Sequence, residues 1–145
     1  MSIALKLAAE AYNSNEVPVG CIIADKDGKI IGSGRNRMEE NHDPTCHAEI
    51  EAIKSASKFR KDWRLEECTL FVNLEPCPMC AGAIINARIP NIVYGARDDA
   101  RGACGSVIDL FSENFHHRPA VYPGVMEEES IALLKNFFTG KRKDA

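Results

Sequence analysis

Long apolar runs are absent from this chain of 145 residues, in which hydrophobic residues make up 45% and charged residues 27%. A membrane-spanning helix needs about 20 consecutive apolar residues, so we expect no membrane contact. Met1 opens directly into an amphipathic pattern, without the basic segment and apolar stretch of a secretory signal peptide. These features predict a protein of the cytoplasm.

Internal repeats, low-complexity segments and linkers are also missing, and the length suits one domain, so we expect residues 1–145 to form a single domain. An excess of positive charge is missing too, because the net charge is −3 and the pI is about 5.8. A protein that binds nucleic acid through broad electrostatics is usually basic. Any nucleic-acid contact made by this chain therefore requires a local basic patch.

Six cysteines are present, and without a secretion signal they favour reduced thiols and metal ligation over disulfides. Cys21 and Cys68 lie in apolar runs that are typical of strands. We interpret these two as small buried hydrophobic residues.

Hydrophobic periodicity predicts helices alternating with strands. We predict helices at 3–12, 45–59, 77–87, 107–111 and 127–138, the second of them capped by Asp43 or Thr45. We predict strands at 19–25, 30–35, 68–73, 91–95 and 120–122, the first two joined as a hairpin by a turn at 26–29. The remaining stretches, including 36–44 and 96–105, are predicted to be loops. This order favours a three-layer α/β/α domain with a mixed five-stranded sheet.

A metal-binding pattern lies in the middle of the chain. His47-Ala48-Glu49 is followed by the run Pro76-Cys77-Pro78-Met79-Cys80. Two thiolates and one imidazole give Zn²⁺ three protein ligands and leave its fourth position for water, which is typical of catalytic zinc sites. Zinc lowers the pKa of such a water from about 15.7 to about 7, which supplies hydroxide at neutral pH. The pattern predicts one catalytic zinc ion per chain.

Both ligand segments lie at predicted helix starts, where free N–H groups and the helix dipole favour a thiolate. Glu49 would lie beside the metal without binding it, and could move the protons that hydrolytic deamination needs. Taken alone, Cys77 and Cys80 could be a redox pair or one corner of a structural zinc site, and His47 a core histidine. Together, H-x-E followed by P-C-x-x-C is a signature of zinc nucleobase deaminases.

Further motifs stand in order along the chain: Val17-Pro18-Val19-Gly20, Gly34-Arg35-Asn36-Arg37, His42-Asp43-Pro44-Thr45, Leu74-Glu75-Pro76-Cys77, Met79-Cys80-Ala81-Gly82-Ala83, Tyr94-Gly95-Ala96-Arg97-Asp98, Gly102-Ala103-Cys104-Gly105-Ser106 and Phe137-Phe138. With these motifs, the chain resembles the bacterial tRNA-specific adenosine deaminases over nearly its whole length. The resemblance implies a cytidine deaminase-like fold and a homodimer with its active sites near the interface. It also implies conversion of the wobble adenosine in a tRNA anticodon stem-loop to inosine.

The resemblance implies zinc on His47, Cys77 and Cys80, with hydroxide attacking C6 of adenine and Glu49 as the proton shuttle. It implies a substrate-binding set around the flipped base: Val17, Pro18, Val19, Asn36, Ala48, Glu75, Pro76 and Asp98. Basic residues that could contact the RNA are Arg35, Arg37, Arg97, Arg101, Lys141, Arg142 and Lys143. Such charges are also common on solvated surfaces, and Asn36 would suit a turn whatever the function.

Two other functions stay open at this point. Cys46 stands where the tRNA enzymes commonly carry alanine, and the resulting Cys-His-Ala-Glu run is similar to guanine deaminases. A deaminase of a free base or nucleoside, such as guanine, cytosine or cytidine, would use the same metal chemistry in nucleotide salvage. A non-catalytic partner subunit of the same fold would be expected to lack the proton shuttle, whereas Glu49 is present.

Overall fold

The computed structural model describes residues 1–144, with side chains described through residue 140. Its five-stranded sheet has the order β2-β1-β3-β4-β5, with strands β1 (Gly20–Ala24), β2 (Ile30–Arg35), β3 (Thr69–Leu74), β4 (Asn91–Ala96) and β5 (Ala120–Tyr122). The α-helices are α1 (Ser2–Asn13), α2 (Met38–Asn41), α3 (Ala48–Arg60), α4 (Pro78–Asn86) and α5 (Glu127–Asp144). Helices cover both faces of the sheet. The predicted three-layer α/β/α fold with a mixed sheet is confirmed.

Strand directions bring four chain segments to one edge of the sheet. β1 pairs antiparallel with both β2 and β3, whereas β3, β4 and β5 are parallel to one another. The beginning of β1 and the ends of β2, β3 and β4 therefore lie side by side. Ligands of α/β proteins commonly bind at the carboxyl ends of such parallel strands. We call this edge, with the loops that start or end there, the site edge.

Two glycines, which have no side chain, allow two helices to lie directly against the sheet. A Cβ atom on Gly20 of β1 would lie 2.1 Å from the carbonyl oxygen of Ala4 in α1. On the opposite face, a Cβ atom on Gly34 of β2 would lie 2.5 Å from the carbonyl oxygen of Ala48 in α3. This close contact fixes the start of α3 at the site edge.

The main apolar core lies between the sheet and the layer that contains α3 and α4. Cys21 and Cys68 are fully buried there, as expected for small hydrophobic residues. Leu70, Ile84 and Ile92 are also fully buried and join β3, α4 and β4. Among the described residues, no helix is long and apolar enough to cross a membrane.

The structure corrects several local predictions. The cap predicted for α3 is wrong: His47 is the N-cap and no side chain caps the helix. The Asp43 carboxylate instead accepts hydrogen bonds from the backbone N–H and the hydroxyl of Thr45, which closes a turn before the helix. The predicted helix at 107–111 is a short 3-10 helix at Leu110–Ser112. The predicted loop at 36–44 contains α2, and α5 continues beyond Phe138.

Candidate metal centre and active site

Three possible metal ligands converge at the site edge from two helix starts. His47 is the N-cap of α3, Cys77 is the N-cap of α4, and Cys80 lies in the first turn of α4. The Nδ1 atom of His47 lies 3.5 Å from the Sγ atoms of both Cys77 and Cys80. Their ligand atoms all lie within 4.8 Å of one another, and no other described group of His, Cys, Asp or Glu is placed to hold a metal ion.

These distances fit a tetrahedral zinc ion. Zn–S bonds of about 2.3 Å and Zn–N bonds of about 2.0–2.1 Å place sulfur and nitrogen ligands about 3.5 Å apart. A hydrogen bond from Cys80 lowers the pKa of Cys77 to about 3, and the same hydrogen bond, with burial, raises the pKa of Cys80. The Cys77 sulfur is thus readily a thiolate, and the positive charge of a bound metal ion would favour the thiolate of Cys80 as well.

Glu49 lies in the first turn of α3, two residues after His47, and is only 4% exposed. Burial raises the pKa of this carboxyl group to about 7, against the charge of His47, which lowers it. A group with a pKa near neutrality can both hold and release a proton at physiological pH. Because Glu49 lines the same cavity as His47 and Cys77, it can move protons beside the metal centre.

A cavity of about 360 Å³ opens above the metal ligands. This volume is near the lower end of the range of about 300–1,000 Å³ that is typical of small-molecule sites. The predicted substrate residues that line it are Val17, Val19, Asn36, Ala48, Glu75 and Asp98. Lining residues that we did not predict are Met38, Leu74, Ala100, Leu134 and Phe138. Apolar walls with a few polar groups suit a flat aromatic ring.

Asn36, which lines this cavity, carries an unpaired polar atom. Its Nδ2 atom donates to the carbonyl oxygen of Val17 at 3.4 Å, and its backbone N–H donates to that of Val19 at 3.0 Å. The Oδ1 atom is buried and accepts no hydrogen bond within the described residues. A buried acceptor without a donor is unfavourable, so a ligand that donates a hydrogen bond there would be stabilised.

Glu75 holds the loop at 97–106, although it also lines the cavity. It is 2% exposed, and its two carboxylate oxygens accept hydrogen bonds from the loop. The donors are the backbone N–H groups of Asp98 at 3.2 Å, Cys104 at 3.0 Å and Ser106 at 3.2 Å, and the hydroxyl of Ser106. This carboxylate therefore fixes the position of Asp98 at the mouth of the cavity.

Two of the predicted substrate contacts lie beside the cavity and are buried. The carbonyl oxygen of Pro18 accepts a hydrogen bond from Asn73 Nδ2 at 2.9 Å. The carbonyl oxygen of Pro76 accepts one from the backbone N–H of Ala103 at 2.9 Å. These contacts join the strand ends to their neighbours, so both prolines shape the site edge from behind the lining residues.

The basic residues that we predicted as RNA contacts fall into three groups. Arg35 is buried, donates to the carbonyl oxygen of Asn36, and lies 3.3 Å from the carboxylate of Glu40. The guanidinium of Arg35 is thus engaged inside the protein, and its contact with RNA stays a prediction. Arg37 is half-buried and pairs with the same Glu40 carboxylate at 2.6 Å. Arg97 and Arg101 form the second group and are exposed near the cavity. The side chains of Lys141, Arg142 and Lys143 lie outside the described residues.

The unpredicted lining residues had few signals in the sequence. Successive residues of a helix point about 100° apart, so the doublet Phe137-Phe138 could not bury both rings in the same direction. Phe137 is buried against Tyr12, and Phe138 borders the cavity with 46% of its surface exposed. Leu134 lies one turn earlier on α5. The Phe137-Phe138 doublet was the one sequence signal that α5 contributes to the cavity wall.

Comparison with known proteins agrees with this geometry. A Streptococcus pyogenes serotype M18 protein named tRNA-specific adenosine deaminase is 40% identical over 144 residues, which cover 99% of this chain and 90% of that protein. A Deinococcus radiodurans protein named tRNA(Ile)-lysidine synthase is 46% identical over 143 residues, which cover 99% of this chain but 25% of that protein. The chain therefore spans about a quarter of the length of that relative.

A solved structure from studies of A-to-I editing by tRNA:A34 deaminases at the wobble position of transfer RNA has a TM-score of 0.89 to this chain. It is 43% identical, and the match covers 92% of this chain and 97% of that one. Residues 1–96 match the cytidine and deoxycytidylate deaminase zinc-binding region. This match and the arrangement of His47, Cys77 and Cys80 together show a site for one zinc ion. The chain belongs to the zinc-dependent cytidine and deoxycytidylate deaminase family.

Proposed function

We propose that this chain hydrolyses the amino group of the wobble adenosine in a tRNA anticodon loop and so produces inosine. The observation that carries the reaction class is the cavity in which Glu49 lies beside His47, Cys77 and Cys80. Similarity over nearly the full chain to a protein named for tRNA adenosine deamination supports the substrate. The A34 deaminase structure, which aligns over nearly its whole length, supports the same substrate.

The proton transfers of this reaction fall to Glu49. When held by His47, Cys77 and Cys80, zinc supplies a Lewis acid that makes water nucleophilic at neutral pH. The Glu49 carboxylate takes a proton from the water that attacks C6 and passes it to N1 of the ring. It then carries a second proton to the exocyclic nitrogen, which leaves as ammonia, so that the carbon–nitrogen bond is replaced by the carbonyl of inosine.

The cavity walls bind and orient the base. Asn36 Oδ1, the unpaired acceptor, takes a hydrogen bond from the base, while apolar residues such as Val17, Val19 and Ala48 contact the ring and limit water. Asp98 contacts a nucleotide next to the target from the loop that Glu75 holds.

RNA outside the cavity would contact arginines that lie near its opening. Exposed Arg97 and Arg101 lie on the loop at 97–106, and half-buried Arg37, which pairs with Glu40, lies directly before α2. Phosphate contacts from such side chains would position the RNA around the cavity. Because the protein as a whole is acidic, RNA binding needs a local basic patch, and these arginines supply it.

A homodimer in the cytoplasm is part of the same proposal. Val107 and Ile108 are 54% and 46% exposed and form an apolar groove with Met79 and Arg101 beside the cavity. Such a patch suits a second copy of the chain, which would then border the substrate site. Light scattering during size-exclusion chromatography should give twice the monomer mass of 16.0 kDa.

Cys46 does not favour the alternative of a free-base deaminase. Its thiol is buried away from the cavity lining, 3.4 Å from Asp43 Oδ2 and 3.7 Å from Glu51 Oε1. This residue therefore supports the turn before α3, and its identity does not reveal which base enters the cavity.

The test is inosine formation in an anticodon stem-loop RNA that carries a wobble adenosine, measured beside free guanine, cytosine and cytidine. We expect conversion of the RNA alone, and binding that weakens steeply with salt because phosphate contacts release counterions. An inert RNA together with a converted free base or nucleoside would overturn the tRNA assignment and keep the zinc chemistry.

A further inference from the structure

Glu16 is a buried carboxylate outside the metal centre. It is 1% exposed, its Oε1 atom accepts a hydrogen bond from the backbone N–H of Glu39 at 3.0 Å, and its Oε2 atom accepts one from that of Glu40 at 2.8 Å. Both donors lie in the first turn of α2, where backbone N–H groups have no partner within the helix. A side chain from a distant segment thus replaces the missing cap of α2.

The end of α1 fixes the backbone of Glu16. Asn15 adopts a left-handed conformation with φ of 60°, and its N–H donates to the carbonyl oxygen of Tyr12 at 3.1 Å. The N–H of Glu16 donates to the carbonyl oxygen of Ala11 at 2.9 Å. This pair of hydrogen bonds is a Schellman motif, which ends a helix in a defined geometry. The carboxylate is therefore presented to α2 from a rigid support.

The segments joined by Glu16 both line the cavity. Val17 follows it directly, while Asn36 and Met38 come just before the two capped residues. We propose that Glu16 is a positioning residue that holds Asn36 and Met38 at the cavity wall and so determines how the base is bound. This inference rests on the proposed function, because it assigns a role in binding the substrate of that same site.

Removal of the Glu16 carboxylate would leave two N–H groups at the start of α2 without their acceptor. The metal ligands and Glu49 stand on α3 and α4, and α3 rests on the sheet through Gly34. The wall that carries Asn36 would move while the zinc site stays in place. Substrate affinity should therefore suffer more than the chemical step.

The experiment compares Glu16→Ala and Glu16→Gln with the matched control Glu10→Ala, an exposed position of α1, the helix that precedes Glu16. For Glu16→Ala we expect full zinc content, a turnover number close to wild type, and a KM for the stem-loop RNA raised about 10-fold to 100-fold, since small displacements can cost this much. Glu16→Gln keeps one acceptor oxygen and should recover part of the loss. Hydrogen exchange should show lost protection at the amides of both Glu39 and Glu40 in Glu16→Ala, at one of them in Glu16→Gln, and at neither in Glu10→Ala.

Either of two results would overturn the role of Glu16. One is unchanged protection of both amides in Glu16→Ala; the other is a turnover number that falls as far as kcat/KM at an unchanged KM. If the wild type converts a free base and leaves the RNA intact, the proposed tRNA function fails. The same comparison of KM with turnover, made on that base, would still decide whether Glu16 positions the wall.

Discussion

The floor and the rim of the cavity are built in different ways. The floor consists of His47, Glu49, Cys77 and Cys80, which stand at two helix starts within two short motifs. The rim consists of α2 and the loop at 97–106, each held by a carboxylate that is distant in sequence. Glu16 accepts from residues 23 and 24 positions later, and Glu75 from residues 23 to 31 positions later. The two motifs of the floor are also 30 positions apart, but each is a recognisable local pattern, whereas Glu16 and Glu75 are single carboxylates without a motif around their donors.

The largest effect is expected when the floor loses a ligand. Cys80→Ala removes one of the three zinc ligands and should reduce metal content from one equivalent toward zero. The affinity for zinc depends on all three protein ligands. Deamination should fall to the level of chelator-treated wild type. Elemental analysis beside an activity assay checks this, and a full equivalent of zinc in the variant would contradict the assignment.

The next largest effect separates metal binding from proton transfer within the floor. Glu49→Ala should keep its zinc and lose about 10²-fold to 10⁴-fold in turnover, as is typical for removal of a general acid–base group. Near-normal turnover in the zinc-loaded variant would show that another group moves the protons. Zinc content is measured on the same sample as the rate.

A smaller effect is expected at the rim. Glu75→Gln replaces an oxygen that accepts hydrogen bonds with an NH₂ group that faces donors, and an unsatisfied buried group costs about 1–3 kcal/mol. The loop at 97–106 should loosen, and the KM for the RNA should rise by about tenfold, which corresponds to about 1.4 kcal/mol. Steady-state kinetics measures it, with Glu66→Gln as the exposed control. A fall in turnover at an unchanged KM would show that Glu75 acts in the chemical step and not in holding the loop.

The smallest effect probes the core beneath the floor. Burial raises the pKa of Cys21 well above its usual value, with the charge of Glu49 as a further cause. Above pH of about 8.5, only the unfolded chain loses this proton, so stability falls with rising pH by up to about 1.4 kcal/mol per unit. Cys21→Ala should therefore have a flatter stability curve between pH of about 9 and 11.

The control for this alkaline effect is Ile23→Val, a change on the same face of β1. It should lower the free energy of unfolding by about 0.5–1.5 kcal/mol at every pH, with the wild-type slope. Denaturant unfolding at several pH values measures both variants. Equal slopes for Cys21→Ala and wild type would show that Cys21 titrates normally.

Much of the fold could be predicted because periodicity reports which face of an element is buried. The strands β2 and β5 begin and end where predicted, and the hairpin turn is where glycine and charged residues indicated it. α2 was missed because its four residues, Met38–Asn41, have no apolar stripe and none is buried. The cap of α2 comes from Glu16, which is 23 and 24 positions from the capped residues, so a local sequence pattern cannot indicate it.

The same reasoning explains what could be predicted of the site. The convergence of His47, Cys77 and Cys80 follows from ligand chemistry and the two helix starts, and the structure confirms it as a metal-binding group. The role of Glu49 stays a prediction. The burial of Arg35 was not predictable, because an arginine in a polar run gives no sign that Glu40 and a backbone carbonyl oxygen already engage it.

The order of the lining residues along the chain has a consequence for biosynthesis. All three metal ligands lie between residues 47 and 80, whereas the cavity also needs Leu134 and Phe138 from α5. Because synthesis runs from the N-terminus, the ribosome releases all three zinc ligands well before Leu134 and Phe138. The ligand set is therefore present in the nascent chain before the segment that completes the cavity wall. Helix α5, which completes the cavity wall, is the last part of the site to be synthesised.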